Sequence, residues 1–293
     1  MTTLPPPSTF DHRGPSDSEL REIAKIIYDH AGIVIAPGKG SMVQSRLGKR
    51  LRALGLKSYT DYIALVSSEA GKEEHRHMVS ALTTNVTHFF RENHHFELLR
   101  DRALPPLLER ARAGGRVRLW SAGSSNGQEA YSMAMTLAEL APDLDRLDIR
   151  ILATDIDPVM IAHGTRGYYD TALVEAVPEA LRRKYFQPED DGQRVIPALR
   201  RLLAFKELNL HDPWPMKGQF DVIFCRNVVI YFDPEAQERL WRRFEEALNP
   251  GGWLFVGHSE RVHQSGHSKL VSAGITTYRL PDAGPNTGGS QWR

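Results

Sequence analysis

The chain has little from which to build a disulfide framework, a zinc cluster or a membrane span. Its 293 residues include a single cysteine, Cys225, which excludes an internal disulfide and a cysteine-based zinc cluster. No apolar run approaches the roughly 20 residues needed to cross a bilayer. The start of the chain has prolines and polar residues where a signal peptide has an apolar stretch. We therefore expect a cytoplasmic protein with no direct membrane insertion and no metal.

The chain also has little net charge. Its 37 Lys and Arg residues nearly balance 36 Asp and Glu residues, for a net charge of +1. No long-range field therefore favours nucleic acid or an anionic membrane as a partner. A composition of 41% hydrophobic and 25% charged residues is that of a globular protein. The length suggests one large domain with an extra piece, or two domains.

The first part of the chain has a helical pattern. Residues 1–15, with three consecutive prolines, predict a disordered leader. Ser16 begins a capping-box pattern, and apolar residues recur at helical spacing through residues 16–85, which predicts a small N-terminal all-helical domain. Residues 86–115 predict a linker helix that ends at two glycines.

The second part alternates between strands and helices. Over residues 116–281, short apolar strands are separated by helices, which is typical of an α/β fold with a parallel sheet covered on both faces. Residues 186–208 interrupt this rhythm around an Asp-Asp-Gly turn and predict a small antiparallel β insertion. Residues 282–293 predict a flexible tail.

Polar residues follow several predicted strands at the edge where doubly wound sheets bind their ligands. A loop of small residues, 122–129, joins the first strand of this sheet to a helix. Asp155 ends the next strand, where a carboxylate can accept hydrogen bonds from both hydroxyls of a ribose, although it could equally cap the following helix. Asn227 follows a third strand, where it can present its amide to a polar ligand or could instead close a turn. A fourth position, Asn209 and Leu210, would lie over an adenine edge.

The loop at 122–129 favours a cofactor without a phosphate group. A dinucleotide fingerprint needs three glycines so that the backbone can approach a pyrophosphate, whereas this loop has only Gly123 and Gly127. Glu129 would repel a phosphate. Its carboxylate instead suits the ammonium and sulfonium groups of S-adenosylmethionine, which we therefore predict as the cofactor.

Longer motifs strengthen this prediction. They lie in order at residues 82–92, 120–132, 154–157, 220–232 and 257–260. With these motifs the chain resembles the CheR family, the S-adenosylmethionine-dependent methyltransferases that esterify glutamates on bacterial chemoreceptors. The resemblance covers about residues 17–280.

The resemblance implies a fold, an activity and partners. The fold would be a Rossmann-like methyltransferase sheet with a small N-terminal all-helical domain and a small antiparallel β insertion. The activity would be methyl transfer to glutamate carboxylates of chemoreceptors, forming methyl esters for sensory adaptation and S-adenosylhomocysteine as the second product. The partners would be the cytoplasmic methylation helices of chemoreceptors, with no nucleic acid.

The resemblance also implies site residues. Those that would bind the cofactor are Asn85, Thr87, Arg91, Glu129, Asp155, Asn209, Leu210, Asn227 and Val228. Among them, Glu129 would meet the amino acid end of the cofactor and Asp155 its ribose. Arg91 and Tyr231 are the candidate catalytic residues, which would hold the incoming carboxylate near the methyl group. The residues alone are also compatible with capping by Asn85 and Thr87 and with core packing by Tyr231.

Two departures from the family pattern affect these expectations. Gln128 and Ala130 stand where the family usually has a glutamate and a proline, but Glu129 is retained and we expect cofactor binding to survive. The insertion at 186–208 is a few residues shorter than in members that bind a receptor's C-terminal pentapeptide. We therefore expect no pentapeptide tethering.

A basic segment suggests where the receptor docks. Residues 36–57 contain six basic residues and no acidic one. Arg46 and Arg50 are four residues apart and share one edge of a helix, and with Lys49 they are the candidate receptor-recognition residues. Such a helix can dock on the acidic surface of receptor helices. The alternative is an ordinary solvated helix face.

Other functions remain possible from the residues. A methyltransferase for RNA would need a larger basic surface, and a nicotinamide oxidoreductase would need the missing phosphate-binding glycine. A signalling adaptor that binds the cofactor or a partner without catalysing transfer is the main alternative, because Gln128 replaces a family carboxylate.

Overall fold

The computed structural model describes residues 14–83, 85–262 and 268–282. These residues form two compact units, one of residues 14–83 with Tyr231–Asp233 and one of the other described residues from 85 to 282. The predicted leader and tail lie almost wholly outside the described residues. None of the helices that the structure describes is long and apolar enough to cross a membrane.

The smaller unit is helical, as predicted. Its described residues form α1 (Asp17–Ala31), α2 (Gly40–Leu54), α3 (Tyr59–Val66) and α4 (Lys72–Leu82). The capping box at the start of α1 is confirmed, because Ser16 and Glu19 exchange hydrogen bonds. The apolar residues that recur at helical spacing in α1 and α2 pack together in one core, although Leu54, the last residue of α2, is exposed.

The predicted linker helix belongs to the core of the larger unit. It consists of α5 (His94–Leu98), a π-helical turn at Leu99–Ala103, and α6 (Leu104–Arg112). Two prolines follow Leu104, and since proline has no N–H group the α-helical hydrogen bonds are interrupted there. The helix buries one face against the sheet through Leu99, Ala103, Leu104 and Leu108.

The larger unit is built on a mixed sheet. In chain order its strands are β1 (Val117–Ala122), β2 (Ile149–Asp155), β3 (Tyr168–Asp170), β4 (Phe186–Glu189), β5 (Gly192–Val195), β6 (Leu203–Glu207), β7 (Phe220–Cys225), β8 (Leu248–Val256), β9 (Val271–Gly274) and β10 (Thr277–Arg279). The described helices that follow α6 are α7 (Gln128–Leu140), α8 (Pro158–Arg166), α9 (Thr171–Val174), α10 (Glu179–Tyr185), α11 (Pro197–Arg200) and α12 (Pro234–Ala247).

Seven of the described strands form the main sheet, in the order β6-β2-β1-β7-β8-β10-β9. The first five are parallel, and β10 runs antiparallel to both of its neighbours. The chain passes from β1 to β2 on one side and later returns to β7 on the other. The carboxyl ends of β1 and β7 therefore border the switch point, where this class of sheet binds ligands.

The small antiparallel sheet is confirmed, but its predicted bounds of 186–208 are wrong. Its order is β3-β5-β4, so it includes a strand that precedes the predicted insertion. Residues 203–207 are instead β6, an edge strand parallel to β2 in the main sheet. The short helix α11 provides the connection between the two sheets. A short strand with alternating apolar residues does not reveal from sequence which sheet it joins.

Candidate active site

The loop after β1 is folded against the end of β2. The N–H groups of Gly123 and Ser124 both donate to the carbonyl of Thr154, each at 2.8 Å. The N–H group of Ser125 donates to Asp155 Oδ2 at 2.7 Å. These three backbone donors are therefore used within the protein and are not directed at a ligand phosphate.

Asp155 lies at the centre of this arrangement. It also accepts a hydrogen bond from the N–H group of Asp157 at 3.0 Å. Burial raises the pKa of Asp155 to about 6, although the hydrogen bonds from Asp157 and Ser125 work to lower it. Asp157 is the residue that caps α8, because it accepts the N–H group of Val159 at 2.9 Å. The alternative role of Asp155 as the helix cap is therefore wrong.

The segment before α5 packs on the same loop. Asn85 Nδ2 donates to Asp157 Oδ2 at 2.9 Å, and the carbonyl of Asn85 accepts the Ser125 hydroxyl at 3.1 Å. Arg91 Nη1 donates to the carbonyl of Val86 at 2.9 Å. Asn85 thus ties this segment to the ends of β1 and β2, and Arg91 retains further N–H donors.

A buried ion cluster lies beside the loop. The side chain of Arg226 is 1% exposed and lies 3.2 Å from Glu129 Oε2 and 3.3 Å from Glu92 Oε2. Its guanidinium also contacts the faces of Phe96 and Phe224, at 5.6 and 5.7 Å from the ring centroids. Glu129, which we predicted to meet the cofactor, is therefore already paired with a cation of the protein.

The two carboxylates of this cluster respond differently to their surroundings. Burial raises the pKa of Glu129, although Arg226 and the Ser121 hydroxyl, which donates to Glu129 Oε1 at 2.7 Å, oppose the shift. Burial also acts to raise the pKa of Glu92, but Arg226 and His258 outweigh it and leave the pKa below its ordinary value. Glu92 also lies 4.0 Å from Arg91 Nε and 3.2 Å from His258 Nδ1, whereas Glu129 pairs with Arg226 among the described residues. A further positive charge nearby would stabilise ionised Glu129.

The loop after β7 is shaped by one buried glutamate. Glu260 accepts four backbone N–H groups at 2.5 to 2.9 Å, those of Asn227, Val228, Val229 and Gly257. Asn227 has a φ of 60°, so the turn that we weighed for it is confirmed. A Cβ atom at position 123 would lie 2.3 Å from Val228 Cγ2. The loops after β1 and β7 therefore meet, and Gly123 is required for this contact.

Asn209 and Leu210 form a turn beyond β6. Asn209 Oδ1 accepts the N–H group of His211 at 3.0 Å. Leu210 is buried, and its carbonyl accepts Trp214 Nε1 at 3.3 Å and Arg243 Nη1 at 2.6 Å. Both residues contribute to holding this turn in place.

Tyr231 belongs to the helical unit rather than to the main sheet. It ends a short 3-10 helix, and its carbonyl accepts the N–H group of Val34 at 2.8 Å. Its role as a catalytic residue stays a prediction. The same holds for cofactor binding by Thr87, which is half-buried.

Two of the predicted recognition residues hold the helical unit together. Arg46 Nη1 donates to two carbonyls at the end of α4, at 2.8 and 2.9 Å. Arg50 forms two hydrogen bonds with the carboxylate of Glu74, which is buried. Lys49, in contrast, is exposed. Arg46 and Arg50 do share one edge of α2, as predicted, and this edge packs on α4.

Gln128, which replaces a family carboxylate, is fully buried. Neither Oε1 nor Nε2 of its side chain has a hydrogen-bond partner among the described residues. The Ser124 hydroxyl, in the adjacent loop, is also buried without a partner. A carboxylate at this position would require a cation or further donors close by.

Several residues of the site lie within the motifs but were not among the predicted site residues. Arg226, Glu92 and Glu260 all lie in the quoted motifs, and Asp157 follows Asp155 by two positions. The sequence did offer one sign of their importance. Charged residues inside apolar motifs are often buried, and a buried charge is almost always paired. Which charges pair with each other was visible only in the structure.

Comparison with known proteins identifies the family. Residues 85–278 match the family model described as CheR methyltransferase, SAM binding domain, and residues 18–83 match the one described as CheR methyltransferase, all-alpha domain. The chain belongs to the CheR family. The resemblance inferred from the motifs is thereby confirmed, and so is an S-adenosylmethionine-binding methyltransferase domain.

Curated relatives agree over most of their length. A probable chemotaxis protein methyltransferase of Rhizobium etli is 52% identical over 265 residues, covering 88% of this chain and 98% of the relative. A chemotaxis protein methyltransferase of Escherichia coli is 41% identical, covering 90% and 91%. Chemotaxis protein methyltransferase 2 of Pseudomonas aeruginosa is 39% identical, covering 89% and 92%. The chain is thus similar to chemotaxis methyltransferases in both of its units.

Proposed function

We propose that this protein transfers the methyl group of S-adenosylmethionine to glutamate side chains on the cytoplasmic methylation helices of chemoreceptors. The products would be glutamate methyl esters and S-adenosylhomocysteine. The observation that carries the choice of cofactor is the β1 loop, whose N–H groups at Gly123, Ser124 and Ser125 all have partners within the protein. Such a loop suits a cofactor without phosphate groups.

The charges of the site fit a cationic cofactor. Glu129 pairs with Arg226, which also contacts Glu92, and burial raises the pKa of Glu129, so a positively charged group beside Glu129 would stabilise its ionised form. The Asp155 carboxylate has acceptor capacity beyond the hydrogen bonds that it accepts from backbone N–H groups, which suits ribose hydroxyls. We propose that these side chains bind the cofactor together with Asn85, Thr87, Arg91, Asn209, Leu210, Asn227 and Val228.

The chemistry proposed for this site requires no general base. The bound cofactor supplies an activated methyl group on a sulfonium. A glutamate carboxylate has an ordinary pKa of about 4.3 and is already ionised at neutral pH. Because opposite charges are neutralised as the methyl group is transferred, exclusion of water favours the reaction. The remaining task of the protein is alignment, which contributes up to about 7–11 kcal/mol in well-oriented systems. Arg91 and Tyr231 are the residues that we propose to hold the carboxylate.

A labelling experiment tests this function. The protein is incubated with S-adenosylmethionine labelled on the methyl group and with membranes that contain a chemoreceptor. We expect label that base treatment releases as methanol, and no such label on a matched receptor whose methylation-site glutamates are alanine. Binding of S-adenosylhomocysteine without any base-labile label would favour the adaptor function.

We propose that receptor recognition depends on Lys49, and that Arg46 and Arg50 support it by fixing α2 against α4. Lys49 is exposed on α2, whereas both arginines are engaged within the unit. Lys49→Glu should lower receptor methylation and leave the affinity for S-adenosylhomocysteine unchanged. If Lys49→Glu lowered both receptor methylation and cofactor affinity, the assignment of Lys49 to receptor recognition would be contradicted.

We also expect no tethering by a C-terminal receptor pentapeptide. Micromolar binding of such a pentapeptide in calorimetry would overturn that expectation.

A further inference from the structure

The loop between β1 and α7 has an unusual backbone. Gly123, Ser125 and Gly127 all have positive φ angles, of 78°, 49° and 91°. For Ser125 this left-handed conformation is strained, because its Cβ atom approaches the following carbonyl oxygen. A conformation of this kind persists only where the surroundings hold it in place.

Part of that support comes from the neighbouring strand. The N–H group of Ser125 donates to Asp155, and the Ser125 hydroxyl donates to the carbonyl of Asn85. These contacts hold the first half of the loop. The second half begins at Asn126, whose Oδ1 lies 3.4 Å from the N–H group of Gln128, a weak contact for a hydrogen bond.

The second half of the loop is held from the small sheet. The hydroxyl of Tyr169, in β3, donates to the carbonyl of Asn126 at 2.8 Å. The Tyr169 side chain is buried, and its ring packs edge-on against Phe89 with 5.0 Å between centroids. Phe89 packs in the same way against Phe186 of β4. Tyr169 therefore reaches the loop from a rigid aromatic cluster.

We propose that Tyr169 is a positioning residue for the cofactor, which acts by fixing the carbonyl of Asn126 and with it the turn that leads into α7. The inference rests on the proposed cofactor site, since the loop matters only if it lines that site. Tyr169 itself need not touch the cofactor. Its hydroxyl sets the loop in its binding conformation before the cofactor arrives, so its removal should weaken binding rather than slow the transfer step.

The test is Tyr169→Phe, which keeps the ring and removes the hydroxyl. A matched control is Tyr185→Phe, because Tyr185 is also buried in the larger unit and donates its hydroxyl to Glu139 at 2.6 Å, on the outer side of α7. We expect Tyr169→Phe to raise the Kd for S-adenosylhomocysteine in calorimetry by about fivefold, the loss of one hydrogen bond. Tyr185→Phe should change the Kd by less than a factor of two.

Receptor methylation separates positioning from a general structural defect. For Tyr169→Phe we expect KM for S-adenosylmethionine to rise about fivefold while kcat stays within a factor of two of the wild type. An unchanged Kd, an equal change in both variants, or a fall in kcat at constant KM would each overturn the inference. If the wild-type protein itself binds no S-adenosylhomocysteine, the proposed function fails instead.

Discussion

The two units of this protein bury their charges in different ways. In the helical unit, Glu74 is matched by one cation, Arg50, and also accepts the hydroxyl of Tyr62 at 2.8 Å. In the larger unit, Arg226 is shared by Glu92 and Glu129. The first network pairs one carboxylate with one guanidinium, whereas in the second Glu92 also contacts Arg91 and His258. The first network lies in the core of the helical unit. The second lies beside a strand-end loop, where carboxylates with shifted pKa values are candidates for ligand binding.

The largest effect should come from removing the shared cation. Arg226→Met removes the cation that pairs with Glu129 in a largely buried site, so we expect the free energy of unfolding to fall by about 3–5 kcal/mol. Denaturant unfolding followed by tryptophan fluorescence measures this, because all tryptophans before residue 290 lie in the larger unit. The loss should shrink below pH 5, where carboxylates become protonated.

Arg112→Met is the control for that experiment. Arg112 pairs with Asp143, but both side chains are about two-fifths exposed, at 44% and 39%. Its removal should lower the free energy of unfolding far less than Arg226→Met does, because solvent screens this pair. Equal losses in the two variants would show that the Arg226 cluster is no more important for stability than a surface pair.

The pair of Arg50 and Glu74 in the helical unit should show the next largest loss of stability. Arg50→Glu places a second carboxylate against buried Glu74, and we expect a loss of about 2 kcal/mol, moderated because Arg50 is partly exposed. Hydrogen exchange is the appropriate measurement, since the helical unit has no tryptophan among residues 14–83, and amides of α2 and α4 should lose protection. Lys49→Glu, one residue away and exposed, should cost less than about 0.5 kcal/mol. Similar hydrogen-exchange protection in both variants would contradict a structural role for Arg50.

The smallest effect concerns pH and the cofactor. Asp155 has a pKa of about 6 in the free protein, and ribose hydroxyls would favour its ionised form. Binding of S-adenosylhomocysteine should therefore be tight at pH 7 and fall about tenfold by pH 5, as Asp155 takes up a proton. Calorimetry at several pH values tests this, with Asp155→Asn as a variant whose affinity should not change over that range. A flat profile for the wild type would contradict contact between Asp155 and the cofactor.

The sequence supported much of the fold and part of the candidate site. The helical spacing before residue 85 and the strand–helix alternation after it predicted both units, because each periodicity reflects a buried face. The strand-end rule placed Asp155 and Asn227 correctly at the edge of the sheet. The assignment of residues 203–207 to the insertion was wrong, since a short strand at the edge of a sheet does not reveal its partner from sequence. Receptor recognition by Arg46 and Arg50 stays a prediction, and their hydrogen bonds to α4 and to Glu74 were visible only in the structure.

What the sequence determined by itself is the class of fold and the family, because both depend on the order and spacing of residues along the chain. Only the tertiary structure decided how the buried charges pair. Arg226 meets Glu129 across 97 positions of sequence, Asp157 rather than Asp155 caps α8, and Tyr169 reaches the loop from a different sheet. Such pairings depend on distances between elements that are far apart in the chain, and a buried charge or hydroxyl takes whichever partner the packing brings within reach.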